Sequence, residues 1–89
     1  MSLNEIKTLV HKHLDNLITQ HHFPSESRNK LMKIRNDLDR ANSNDQLNNI
    51  RDELAELSED RERKLTREQR GEVYSPVCWI EDYLKEKST

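Results

Sequence analysis

Apolar residues in this chain recur at intervals of three and four in separate stretches, and that spacing, which places them on one face of an α-helix, constrains the fold more than any other feature. In the first stretch Leu3, Ile6, Val10, Leu14, Leu17 and Ile18 form one stripe. Ser2, followed three residues later by Glu5, is a capping-box pattern in which each side chain satisfies the other's free backbone N–H. Together they predict a helix over 3–21. It stops at Phe23-Pro24, because a proline drives the preceding residue out of helical dihedrals. Ser25 is then a suitable N-cap for a second helix over 26–41, with Leu31, Ile34, Leu38 and Ala41 as a narrow seam. Asn42-Ser43-Asn44 interrupts the pattern. Ser43 with Gln46 makes another capping box, and a third helix starts at 44, carrying Leu47, Ile50, Leu54 and Leu57 in the same rhythm.

Leu31, Ile34, Arg35 and Leu38 recur sixteen residues later as Leu47, Ile50, Arg51 and Leu54. Either a duplication or the demands of packing accounts for that repeat. Two such helices joined by a short polar turn read as an antiparallel hairpin. From Ser58 to Glu72 the chain carries five acids and five bases, with Leu65 as the one large apolar residue. The third helix either breaks near residue 65 or continues as a solvated rod to Arg70, where Gly71 ends it. The last helix is expected over 76–87: Ser75 suits the N-cap, Pro76 the first helical position, and Val77, Ile80, Tyr83 and Leu84 line one face. The expected fold is all-α, a small helical bundle built on an antiparallel helical hairpin with flanking N- and C-terminal helices.

With 89 residues the chain supports a single domain over 1–89, and its 31% hydrophobic content makes core material scarce. A residual apolar stripe is therefore expected to be covered by a second copy, giving a homodimer. The 17 acids nearly cancel the 15 bases, so the strong net charge that keeps polar chains disordered is absent. A lone Cys78 forms no internal disulfide and favours a reducing compartment, so a cytoplasmic location is expected. No apolar run is long enough for a membrane span, and the N-terminus lacks the uninterrupted apolar stretch of a signal peptide.

Catalytic and metal chemistry find little support in the residues. His11 and His13 point about 200° apart on a helix, and His21 and His22 are adjacent, whereas helical zinc pairs sit four apart. Cys78 has no signature of a nucleophile around it, and its neighbours Val77 and Ile80 suggest a packed small hydrophobe. A chain with one glycine has no phosphate-cradling loop. Neither a metal nor another cofactor is expected, and the chain reads as a non-enzymatic protein-binding module: a regulator, inhibitor or adaptor. The alternative is a nucleic-acid-associated regulator using Arg28, Lys30, Lys33 and Arg35 on the second helix, against which stands a pI near 6.1. For protein binding the expected contacts are Tyr74, Trp79 and Tyr83, flanked by Arg63, Arg67 and Arg70, because rigid aromatic anchors dominate interface energies while charges steer encounter. The same rings could instead cap the bundle core, which leaves Trp79 open between core and surface.

Overall fold

A computed structural model describes residues 1–20 and 22–87. The described residues form α1 (Leu3–Gln20), α2 (Ser25–Arg40), α3 (Asn44–Glu59) and α4 (Arg67–Lys87), so the fold is all-α. His21, the expected last residue of the first helix, lies outside the described residues. The helices touch in cyclic order, α1 on α2, α2 on α3, α3 on α4 and α4 back on α1, with α3 and α4 packed most extensively. Cross-helix bonds give the directions. Lys7 Nζ donates to the Ala41 carbonyl at 2.6 Å while Arg35 donates to Asp15 at 2.6 Å, so α1 and α2 are antiparallel. The N-terminal amine lies 3.4 Å from Glu86 and His13 reaches Glu72, so α1 and α4 are antiparallel as well.

The α1 stripe folds as its spacing dictates. Ile6, Val10, Leu14 and Leu17 are buried, and Leu3 and Ile18 pack at the margin. The Ser2–Glu5 box is complete: Ser2 N–H donates to Glu5 at 3.0 Å and Glu5 N–H to Ser2 Oγ at 3.2 Å. On α2, Leu31, Ile34 and Leu38 are buried. Ser25 is not its N-cap. Pro24 holds that position without a side-chain bond, and Ser25 is the first helical residue. Ala41, expected as the last helical residue, is the extended C-cap and is buried. The Ser43 hydroxyl caps α3 by accepting Gln46 N–H at 3.3 Å, while the Gln46 side chain reaches one residue further back, to Asn42 N–H at 2.7 Å.

The second half departs most from expectation. The third helix ends at Glu59, not near residue 65 or at Arg70, because Asp60 takes a left-handed conformation (φ 49°) and its carboxylate accepts Lys64 N–H at 2.8 Å and Leu65 N–H at 2.7 Å. That turn points Leu65 inward, where it is 8% exposed. The fourth helix starts at Arg67, not at Pro76. Thr66 and Gln69 form a reciprocal capping box, with Thr66 N–H to Gln69 at 2.9 Å and Gln69 N–H to Thr66 Oγ1 at 3.1 Å. Gly71 and Pro76 therefore lie inside α4.

Phe23, Ala41 and Leu65, all in the connections, add to the buried apolar residues that the four helices contribute. The large exposed apolar side chains among the described residues are Met1, Leu9, Met32 and Tyr74, at the N-terminus and on three different helices. The stripes thus meet within one chain, with Leu3, Ile18, Leu57 and Leu84 partly buried at the margin of the core.

Leu54 is fully buried in α3. Leu54→Ala should cost about 2–5 kcal/mol in denaturant unfolding. Glu5 provides an independent check by acid titration, since the N–H of Ser2 and then its hydroxyl hold the Glu5 carboxyl below its ordinary value of 4.5. Its contribution to stability is complete above that value and is lost as the pH falls through the lowered folded-state pKa. Glu5→Gln should therefore flatten the acid limb of a melting-temperature profile and leave its neutral limb with the same slope.

Candidate functional site

The four basic residues expected to contact nucleic acid from α2 are engaged in the fold. Arg35 pairs with Asp15 at 2.6 Å, and Lys33 lies 3.2 Å from Asp37 and 4.0 Å from Glu53. Lys30 lies 3.9 Å from Glu26, and the Arg28 guanidinium donates to the Phe23 carbonyl at 3.4 Å. A row of phosphates would have to displace carboxylates from three of these four cations.

Between α2, α3 and the turn after α3 runs an open groove of about 410 Å³, lined by residues that include Lys30, Lys33, Glu53 and Lys64. Lys64 spans Glu26 at 2.6 Å and Glu62 at 2.7 Å, and these two bonds hold its ammonium above the usual lysine range. The Lys64 bond, with the charges of Lys64 and Lys30, holds Glu26 below the usual carboxylate range. Lys64 is thus paired within the chain, while one carboxylate oxygen of Glu53 in the groove wall is buried without a hydrogen-bond partner among the described residues.

The histidines diverge. His11 places Nδ1 2.8 Å from Asp39 and Nε2 3.0 Å from Asp15. His22 is exposed, and its backbone carbonyl accepts from Gln69 at 3.0 Å. His21 lies outside the described residues. His13 does structural work that the sequence concealed. Pro76 has no N–H to give to the carbonyl of Glu72, its partner one turn back in α4, and His13 Nε2–H donates to that carbonyl at 2.8 Å instead. The His13 ring then meets Trp79 edge to face, 4.9 Å between centroids at 75°. No group of three or more metal-ligating side chains gathers among the described residues.

The expected aromatic contacts do not form one surface. Tyr83 is buried, donates its hydroxyl to Asn44 at 3.1 Å and carries the Lys87 ammonium over its ring. Trp79 is half-buried against the core and faces α1. Tyr74 is 46% exposed. Cys78 is exposed rather than packed, because one residue of helical rotation separates it from buried Val77.

Helical spacing collects a different set. Arg67, Arg70, Tyr74 and Cys78, three, four and four residues apart, occupy the outer face of α4 with Gly71 at its edge, and all five are exposed. Arg63, in the turn just before α4, is exposed too and has positive φ. Of the expected contacts, Arg63, Arg67, Arg70 and Tyr74 therefore lie at or near one surface, while Trp79 and Tyr83 turn away from it. Gly71 was missed as a surface residue because it reads as a helix stop; the Thr66–Gln69 capping box is the signal that places it inside the helix. Compared with known proteins, the chain has no significant match to a family model, a curated protein or a solved structure. No helix among the described residues is long and apolar enough to cross a membrane.

The role of His13 can be isolated by a double-mutant cycle. His13→Ala should cost about 1–3 kcal/mol in the native background, where the Glu72 carbonyl loses its donor. In a Pro76→Ala background, where the helix supplies its own N–H, the cost should be clearly smaller. Equal costs in both backgrounds would assign His13 to ring packing alone.

Proposed function

We propose that this chain is a non-enzymatic protein-binding module, a regulator, inhibitor or adaptor, that engages its partner through the outer face of α4. Gly71 carries the reading. A glycine inside a helix costs about 1 kcal/mol relative to alanine, through the backbone freedom it surrenders on folding. A Cβ built at Gly71 meets nothing within 4 Å, so the chain's own packing does not ask for glycine there. The surface around it is where an approaching backbone would benefit from a missing side chain.

Tyr74 lies three residues beyond Gly71 on the same side of the helix and exposes nearly half its surface. A tyrosine so placed supplies large contact area with few torsions to immobilise, which is why the type is enriched among binding hot spots. Local rules of helix design are broken here without a gain inside the fold, as is common at functional sites.

Affinity capture from the native host, with mass spectrometry, tests the reading when the native chain is run beside two variants. Tyr74→Ala should weaken capture of the same partner by about 2 kcal/mol or more while shifting the melting temperature little. Gly71→Ala should stabilise the isolated protein by about 0.5–1 kcal/mol and weaken capture. A partner retained equally by the native chain and both variants would place the interface elsewhere.

A further inference from the structure

We infer that the occupant of this face is an acidic polypeptide segment whose Asp or Glu side chains pair with Arg67 and Arg70, with Arg63 beside them. The inference rests on the protein-binding reading and adds the chemistry of the partner. Elsewhere most cations are matched, as with Arg35 on Asp15, Lys33 on Asp37, Arg51 on Asp52 and Lys64 on Glu26. Lys7 is bonded to the carbonyls that end α2. The side chains of Arg63, Arg67 and Arg70 make no ion pair or hydrogen bond among the described residues, and the remaining free cations, Lys12 and Arg40, stand apart on α1 and α2.

Their position adds a second argument. Arg67 is the first residue of α4 and Arg70 closes its first turn. The N-terminus of a helix carries partial positive charge, which favours acidic side chains and disfavours basic ones. Glu68 in the same turn offsets one of these charges, and two unpaired guanidinium groups there, with a third just upstream, still outnumber it in a chain whose net charge is −2. An incoming carboxylate relieves that repulsion and finds in each guanidinium a planar fork that binds it in two-pronged fashion. Arg67 and Arg70 are separated by about 4.5 Å along the helix axis, within reach of carboxylates one or two residues apart on an extended segment.

A two-fold axis through the arginines themselves would set arginine against arginine, so a second copy would have to seat its own acidic residues on them. A nucleic acid would also supply negative charge, but its long run of phosphates would meet the chain's excess of carboxylates beyond this small patch.

Isotope-labelled full-length protein, titrated separately with a short Glu- and Asp-rich peptide, a Lys-rich peptide and a short DNA duplex, tests the inference. The acidic peptide should shift amide resonances over residues 63–78, and its affinity should fall about tenfold between low and physiological salt. The Lys-rich peptide should leave those resonances unmoved. The double variant Arg67→Glu, Arg70→Glu should bind the acidic peptide at least about tenfold more weakly yet melt no lower than the native chain, because acids suit the first turn of a helix. Silence with the acidic peptide, binding unchanged by charge reversal, or tighter binding of the duplex would each overturn the inference. The two readings fail separately. A captured native partner lost with Tyr74→Ala but kept by the charge-reversed chain leaves protein binding in place and removes the acidic partner, whereas one kept by both variants removes both.

Discussion

The carboxylate of Asp60 holds the turn on which the second half of the bundle depends. A left-handed residue ends α3, and the two oxygens of its side chain then gather the N–H groups of Lys64 and Leu65 into a closed loop. Without that loop the charged segment could continue as helix, carrying α4 away from the groove between α1 and α3. With it, Leu65 is buried in the core and Thr66 starts a new helix that runs antiparallel to α3, since Tyr83 near the end of α4 bonds Asn44 at the start of α3. A chain with 31% hydrophobic residues cannot leave its connections outside the core, so Phe23, Ala41 and Leu65 serve as core residues as well as linkers.

The long α4 is in turn made possible by α1. A proline in a helix interior deprives one carbonyl of its donor and crowds it with the ring, a defect of about 3 kcal/mol. The imidazole of His13 supplies the missing donor at a half-buried position, and Trp79, one turn beyond the proline, packs against the same ring. The stretch that reads as turn and cap, from Gly71 to Pro76, is therefore tolerable as helix once the bundle has closed. Local sequence and tertiary contact disagree at this point, and contact prevails.

That disagreement explains what the sequence made legible. The stripes of α1, α2 and α3 and the boxes at Ser2–Glu5 and Ser43–Gln46 are local patterns, and elements appear where they fall. The end of α3 was hidden because neither a left-handed Asp60 nor the inward turn of Leu65 has a periodic signature. The start of α4 is hidden in the sequence because Gly71 and Pro76 are strong helix punctuation that locally outweighs the Thr66–Gln69 box. Tyr74, Trp79 and Tyr83 could be sorted into surface, margin and core only once the helix was known to begin at Arg67, since a helix counted from residue 76 leaves Tyr74 outside it. Pairings such as His11 between Asp15 and Asp39 join residues distant in sequence, and no spacing rule predicts them.

The outer face of α4 differs from the remaining surface in the direction of its energetics. Across α2 and the groove beside it, most cations sit next to carboxylates, so folding itself accounts for much of the charge found there. On α4 a glycine weakens the helix, two arginines oppose its dipole and a tyrosine leaves nearly half its surface in water. Each departure is small, and each would be removed by an ordinary substitution that the surrounding space permits. Their concentration within two turns of one helix has no counterpart in the packing of the isolated chain. An acidic segment laid along this face would answer all three together: its carboxylates offset the helix-end charge, its backbone uses the space at Gly71, and its side chains cover the ring of Tyr74.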